Sequence, residues 1–226
     1  MKNGRIKRVY KYRSAEHGIS NLTEKRLKVS TTADLNDPFD LCPLDTTNPD
    51  IERATRAICQ HFNDKRGILC FSRNWDNLLL WSHYAASHTG VCLGFEVFED
   101  GSTGNLDTDV LYQPSPLKIS CPEDVDFDLA NRMLRTKYES WSYEQEVRMF
   151  VGLEDPPDAN GIHWISFDAH LVLKEVIVGA RCSPADNQAI KAAVESYGGN
   201  VKCWWAAMRA DAFSLVRLDH APAWLE

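Results

Sequence analysis

The stretch "WSYEQEVRMFV", residues 141–151, decides how this sequence is interpreted, because it predicts a central β-strand with charged groups on one face. Side chains alternate between the two faces of a strand. One face is then largely apolar: Tyr143, Gln145, Val147, Met149 and Val151. The other face carries Glu144, Glu146 and Arg148. The stretch therefore predicts two carboxylates about 6.5–7 Å apart on one strand face.

This acid pair has two interpretations. In the structural one, the carboxylates lie on a solvated face and pair with lysines of neighbouring strands. In the functional interpretation, the apolar flanks place the strand in the middle of a sheet. Like charges repel each other there, so two neighbouring carboxylates indicate a function. Two carboxylates at this separation suit chemistry on a cationic, sugar-like centre, since one can stabilise charge while the other handles a proton. The sequence leaves both open.

Composition limits the class of protein. The chain has 226 residues, of which 44% are hydrophobic and 25% charged, and these are globular proportions. A formal net charge of −7 argues against nucleic-acid or anionic-membrane binding over the whole surface. The basic N-terminus is the local exception: residues 1–8 are predicted to be flexible, whereas Lys11 and Arg13 are candidates for a phosphate contact.

The cysteines and apolar runs predict a cytoplasmic location. Seven cysteines form an odd set without a C-x-x-C pair, which predicts reduced thiols rather than a disulfide frame or a zinc site. No apolar stretch follows the N-terminal charges, and none approaches the length of a membrane span. We therefore expect no signal peptide, no membrane contact and no metal.

The order of predicted elements favours the α+β class. Strands are predicted at "RVYKYRS", "LKVST", "GILCFS", "GVCLGFEV", "VLYQ", "IHWISFD", "LVLKEVIVG", "VKCWWA" and "FSLVRLD". Helices are predicted around residues 21–26, 51–62, 76–88, 123–138 and 183–197. Strands and helices alternate irregularly, and no linker divides the chain. The sequence thus predicts a single domain over 1–226, with a central mixed or antiparallel split sheet flanked by helices.

Familiar catalytic motifs do not occur in the sequence. There is no P-loop, no G-x-G-x-x-G after a strand, no H-E-x-x-H and no G-x-S-x-G. A strand and its following helix can converge, so a hydrolase using Cys70 with His83 is one alternative. His83 and His88 are five residues apart and do not share a helix face, which argues against a metal site.

A set of motifs resembles a widespread bacterial family. They are "YKYRS", "LNDPFD", "CFS", "LLLWSHYAASHTGVCLGF", "WSYEQEVR" and "KEVIVG", followed by a closing pair of strands, and the resemblance runs from about Val9 to Leu218. The family is known only as a domain of unknown function, number twenty-nine seventy-one, and it carries no assigned activity. Its context implies a toxin or a phage-defence effector.

A more distant resemblance is to the ADP-ribosyltransferase fold. It rests on the opening strand, on "LKVST" and on a late strand with Glu-x-Glu. The resemblance implies that Glu146 is the catalytic glutamate that holds the ribose of NAD, and that Glu144 assists the acceptor.

The same resemblance implies residues that bind NAD. Tyr12 stands where that family grips the nicotinamide ribose, and Arg13 and Ser14 follow it. Ser72 and Tyr84 are the candidates near the nicotinamide. Arg13 or Arg148 would pair with the pyrophosphate as a bidentate guanidinium, although Arg148 could instead hold Glu146 in place.

The leading hypothesis is therefore an ADP-ribosyltransferase that uses NAD as its substrate, without a metal and with an unassigned acceptor. The second is a non-enzymatic module that recognises a nucleotide or a nucleic-acid end through Arg13, Lys11, Trp75 and Trp81. The Cys70/His83 hydrolase is the third.

Overall fold

The computed structural model describes residues 5–31, 34–99, 106–121, 124, 126–168 and 170–223. The helices in these ranges are α1 (Ala15–Glu24), α2 (Pro49–Lys65), α3 (Leu78–Tyr84), α4 (Phe127–Arg135) and α5 (Pro184–Tyr197). The strands are β1 (Arg5–Arg13), β2 (Arg26–Lys28), β3 (Arg66–Ser72), β4 (Val91–Glu99), β5 (Leu106–Asp109), β6 (Leu111–Gln113), β7 (Thr136–Tyr138), β8 (Glu146–Gly152), β9 (Trp164–Ser166), β10 (Leu171–Val178), β11 (Lys202–Met208) and β12 (Leu215–Leu218).

Contacts group the chain into two compact units. Unit 1 consists of Met1–Leu27, Phe71–Asp100 and Ile165–Glu226, and unit 2 of Lys28–Cys70 and Gly101–Trp164. Each unit contains both helices and strands, and parallel and antiparallel pairs both occur. The predicted α+β class with a mixed sheet is confirmed. That the chain is one domain stays a prediction.

The sheet of unit 1 has the strand order β12-β11-β10-β4-β1. β1 and β4 are antiparallel over their whole length, from Arg5↔Glu99 to Arg13↔Val91. β10 and β11 are parallel, as expected for strands joined through a helix, here α5. Fully buried apolar side chains fill this unit: Val9, Leu93, Phe95, Val176 and Ile177.

Short polar residues begin the helices of unit 1. Asn77 accepts the backbone N–H of Leu79 at the start of α3, at 2.9 Å. Ser183 accepts that of Asp186 at the start of α5, at 3.1 Å, and Pro184 takes the first helical position.

Unit 2 has the strand order β3-β8-β5, with β8 and β5 antiparallel from Leu106↔Phe150 to Asp109↔Val147. β6 and β7 form a separate parallel pair. Two apolar clusters make the core of this unit. One contains Leu41, Ile68 and Phe150, and the other Leu44, Leu129 and Met133.

The strand predicted over 141–151 begins later than expected. Glu139–Glu144 form a 3₁₀ helix, and Gln145 has a left-handed backbone with φ of 43° before β8 begins at Glu146. Glu144 therefore does not lie on the strand, and the predicted alternation is wrong for its first half. The reason is local: the 3₁₀ helix ends at a left-handed residue, and no glycine in the sequence marks that position.

Two helix boundaries also differ from the prediction. α1 spans Ala15–Glu24 rather than 21–26, because Ser14 caps it. The helix predicted to reach residue 138 ends at Arg135, because the next three residues pair as β7 with β6.

Cys42 and Cys59 form a disulfide, with their Cα atoms 6.6 Å apart. The prediction of reduced thiols is wrong for this pair, since spacing alone does not show that the turn before α2 returns to that helix. Cys70, Cys92 and Cys182 are among the free cysteines. Within the described ranges, no helix has the length and apolarity that crossing a bilayer requires. The cytoplasmic location stays a prediction.

Candidate functional site

Glu146, the first residue of β8, is buried with 3% exposure and surrounded by hydrogen-bond donors. Its Oε1 accepts from Arg148 Nε at 2.9 Å, and its Oε2 accepts from Lys137 Nζ at 3.0 Å and Arg148 Nη2 at 3.2 Å. Its backbone N–H donates to the Tyr112 hydroxyl at 2.9 Å. The carboxylate is thus enclosed between a lysine and an arginine fork.

Arg148, two residues further along β8, is fully buried. Besides Glu146, its guanidinium donates to the Leu134 carbonyl oxygen at 2.8 Å and to the Asp40 carboxylate. A buried guanidinium must have its donors satisfied, and these acceptors do so. Arg148 therefore holds Glu146 in place, which is the second of the two roles considered for it.

Lys137 on β7 joins three carboxylates. Its Nζ lies 2.7 Å from Glu144, 3.0 Å from Glu146 and 3.3 Å from Asp40, so each hydrogen of the ammonium has an acceptor. We refer to Asp40, Lys137, Glu144, Glu146 and Arg148 as the buried charge cluster. Its three carboxylates outnumber its two cations and leave a formal charge of −1.

The cluster fixes the protonation of its members. Burial alone raises the pKa of Glu146, but the charges of Arg148 and Lys137 outweigh it and bring that pKa down to about 2. Burial alone lowers the pKa of Lys137, yet Glu146 and Asp40 raise it above its ordinary value. Glu146 is consequently an anion, and Lys137 a cation, at neutral pH.

A cavity of about 390 Å³ in unit 2 lies beside Lys137. We call it the ring pocket. Aromatic residues and prolines dominate its wall: Phe39, Tyr138, Trp141, Pro38, Pro43, Pro114 and Pro116. Asp37, Gln113 and Lys137 also line it. Its size and its mostly apolar wall are those of a small-molecule site.

Two aromatic rings of the pocket wall face solvent, and a third is in contact with a cation. Phe39 is 66% exposed and Tyr138 50% exposed. The Lys137 ammonium lies 5.1 Å from the ring centroid of Trp141, within the range of a cation–π contact. The ring pocket and the buried charge cluster thus share Lys137, and together they form the candidate site.

The structure brings Glu144, Glu146 and Arg148 together in unit 2, as members of the buried charge cluster. The predicted NAD-contact residues Tyr12, Arg13, Ser14, Ser72 and Tyr84 all belong to unit 1.

In unit 1, Tyr12 and Ser72 converge on one residue. The Tyr12 hydroxyl donates to the Asn74 carbonyl oxygen at 2.8 Å, and Ser72 Oγ accepts the Asn74 N–H at 3.0 Å. Ser14 caps α1, accepting the His17 N–H at 3.3 Å. These bonds give each side chain a structural role. A contact of Tyr12, Arg13, Ser14, Ser72 or Tyr84 with NAD stays a prediction.

The other hypotheses concern groups with structural partners as well. Trp81 is fully buried, and its indole N–H donates to the Trp75 carbonyl oxygen at 2.6 Å, so it is a core residue rather than an exposed stacking surface. Cys70 belongs to unit 2, where its thiol hydrogen-bonds Glu146, whereas His83 belongs to unit 1. Among the residues that the structure describes, no group of histidines, cysteines and carboxylates could hold a metal ion.

Sequence reasoning missed Asp40, Lys137, Phe39 and Trp141. Asp40 and Phe39 lie in "LNDPFD", where Asn36-Asp37-Pro38 predicts a turn and nothing marks a site. Lys137 fell inside a predicted helix. Both segments lie outside the acidic motif, and only the tertiary fold of unit 2 brings them to it.

Comparison with known proteins matches part of the chain to a family model. Residues 80–149 match the model of the family described as "Protein of unknown function (DUF2971)", a stretch that includes Lys137, Glu144, Glu146 and Arg148. No curated protein and no solved structure matches the chain. The match agrees with what the motifs indicated: residues 80–149 of the chain are similar to the DUF2971 family of proteins of unknown function.

Proposed function

We propose that this chain binds a nucleotide that carries a flat, positively charged ring. NAD is such a ligand, because its oxidised nicotinamide is a pyridinium cation. The observation that carries the proposal is the position of an aromatic pocket wall beside a buried charge cluster with excess negative charge.

The aromatic wall supports a ring-shaped cation. Trp141, Tyr138 and Phe39 line one pocket, and the exposure of Tyr138 and Phe39 leaves apolar surface that a ligand would cover. Cations are attracted to the faces of aromatic rings, by about 0.5–2 kcal/mol depending on desolvation. A pyridinium can combine this attraction with stacking.

The charges beside the pocket favour a cation over an anion. Lys137 is the cation among the pocket-lining residues, but its ammonium is already bonded to three carboxylates. Asp37 adds a further carboxylate to the lining. The electrostatic potential in the pocket is therefore negative, because acidic groups are in excess. The low polarity around the cluster strengthens this potential.

Calorimetric titration with NAD tests the proposal. Replacing Trp141→Leu removes one ring of the wall and should weaken binding about 3- to 30-fold, the range of one cation–π contact. Trp164→Leu is the matched control, because Trp164 is a half-buried tryptophan of unit 2 that does not line the pocket. Equal affinity of both variants for NAD would overturn the proposal.

ADP-ribosyl transfer is the second candidate function, and the ionised state of Glu146 favours it. In this reaction the bond between C1′ of the ribose and the nicotinamide nitrogen breaks, and the electron pair leaves with nicotinamide. An acceptor lone pair then bonds C1′, and the acceptor releases its proton. Glu144 and Glu146 are 5% and 3% exposed, so in this geometry they would stabilise the cationic centre through their field.

Release of free nicotinamide separates the two functions. Binding of NAD without release leaves recognition as the function. Release that falls at least about tenfold in Glu146→Gln, but not in the control Glu96→Gln, supports transfer. Release at the wild-type rate in a folded Glu146→Gln protein would rule out the proposed role of this carboxylate.

A further inference from the structure

Unit 2 contains a second and larger cavity, lined by residues of α2 and α4, with a volume of about 1090 Å³. This volume is slightly above the usual range for small-molecule sites, about 300–1,000 Å³. We call it the basic pocket. The proposed function does not use it, and nothing below depends on that function.

The floor of the basic pocket is apolar: it consists of Leu41, Ile58, Phe62, Met133, Leu134 and Phe150. Phe62 and Phe150 meet edge to face, with ring centroids 5.6 Å apart. Leu41 and Phe150 belong to one core cluster of the unit, and Met133 to the other. Side chains from both core clusters thus line the cavity, and a ligand with an apolar body would pack against them.

Cations surround this floor. Lys65 and Arg66 lie at the end of α2 and the start of β3, and Arg132 and Arg135 lie in the last turn of α4. Asp128 is the acidic residue of the lining. This local excess of positive charge is opposite in sign to the net charge of the whole chain, which has 32 acidic and 25 basic residues.

The described residues provide no carboxylate partner for these cations. In the part of the chain that the structure describes, Lys65, Arg66 and Arg132 make no ion pair, and Arg135 donates only to the Asp109 carbonyl oxygen, at 3.4 Å. Attraction to the end of a helix explains a cation in each last turn. It does not explain why the ends of two helices present their cations to the same apolar cavity.

We propose that the basic pocket binds an amphiphilic anion, with an acyl chain on the apolar floor and a carboxylate or phosphate head at the cations. Arginine suits either head group, because its guanidinium fork donates two parallel hydrogen bonds to a carboxylate or a phosphate. A nucleic-acid strand fits less well, since Phe62 and Phe150 pack against each other rather than presenting a free face to a base.

Calorimetry with four probes tests both halves of the ligand. Dodecanoate and dodecyl phosphate, kept below their micellar concentrations, should bind, and the tighter of the two identifies the head group. Dodecanol lacks the charge and inorganic phosphate lacks the chain, so each should bind at least about tenfold more weakly. Equal binding of dodecanol, equal binding of inorganic phosphate, or no binding of either dodecyl anion would overturn the proposal.

Variants then place the ligand. Lys65→Gln with Arg132→Gln should weaken binding of the dodecyl anion at least about tenfold. The matched control, Arg53→Gln with Arg56→Gln, removes the same charge from exposed positions of α2 outside the pocket and should leave binding unchanged. Ala130→Trp fills the lining without changing charge and should also weaken binding.

Unchanged binding in both Lys65→Gln/Arg132→Gln and Ala130→Trp would show that the dodecyl anion binds elsewhere. A different result would assign the cations to nucleic acid instead. In that case the wild-type protein binds neither dodecyl anion but binds an oligothymidylate, and Lys65→Gln/Arg132→Gln abolishes this binding.

Discussion

Lys137 pairs with three carboxylates of unit 2. The first prediction is that replacing it destabilises the protein. Lys137→Met leaves Asp40, Glu144 and Glu146 with Arg148 as their remaining cation. Breaking a buried ion network from one side leaves an uncompensated charge, which costs about 3–5 kcal/mol of unfolding free energy. Urea denaturation monitored by tryptophan fluorescence measures this loss.

Lys174→Met is the control for that change. Lys174 is more than a third exposed and pairs with Glu96 at 3.2 Å, and exposed pairs contribute about 0–1 kcal/mol. A loss of the same size in both variants would mean that the buried charge cluster has no special role in stability.

The depressed pKa of Glu146 predicts how stability depends on pH. The group binds its proton more weakly in the folded protein, at a pKa of about 2, than in the unfolded chain, at about 4.3. Its contribution, about 3 kcal/mol, is therefore complete above about pH 5 and is lost as the pH falls toward 2. Glu146→Gln cannot lose a charge, so its unfolding free energy should fall less steeply over this range. If the unfolding free energies of the two proteins fell equally steeply with pH over this range, the low pKa assigned to Glu146 would be contradicted.

At the residue scale, the sequence predicts the acids but not their partners. Glu144, Glu146 and Arg148 were identified because charges near an apolar strand are conspicuous. Lys137 and Asp40 lie in segments whose local pattern indicates a helix and a turn. A side chain's charge partner is a tertiary contact, and it leaves no local signal.

The junction between the 3₁₀ helix and β8 is the element that places the acids. Gln145 adopts φ of 43°, a left-handed conformation that costs residues with a Cβ atom about 1 kcal/mol and β-branched residues more. Gln145→Gly should raise the unfolding free energy or leave it unchanged, and Gln145→Val should lower it by about 1–2 kcal/mol. Thermal unfolding of the two variants measures the difference, and a valine variant as stable as the glycine variant would be inconsistent with this backbone.

At the element scale, patterns that are complete within one segment predict well. α5 is an example, because Ser183, Pro184 and the glycines after Tyr197 mark both of its ends. β7 is the contrary example: three residues that follow a helix become a strand only because β6 pairs with them. The sequence of "TKY" does not contain that information.

The division of the whole molecule into two units gives a prediction about where a ligand acts. The proposed site lies in unit 2, whereas Tyr12, Ser14 and Ser72 lie in unit 1. Hydrogen exchange with and without NAD should show protection in residues 36–39, 113–116, 136–138 and 141, which line the ring pocket. Protection confined to residues 12–14, 72 and 84 would instead support the NAD contacts that the distant resemblance implies.

The α+β class follows from the irregular order of strands and helices, and the motifs indicate the family whose model matches residues 80–149. The two cavities of unit 2 do not follow from either. Their walls combine residues far apart in the chain, and an empty volume has no signature in a sequence.

Affinity for oxidised and reduced NAD is the most direct measurement of the central claim. The two molecules share every group except the charge and aromaticity of one ring, so their difference in affinity reports on the ring pocket alone. We predict that the oxidised form binds about 3- to 30-fold more tightly than the reduced form, and that Trp141→Leu removes this preference. Equal affinities in the wild-type protein, or a preference that persists in Trp141→Leu, would contradict the account.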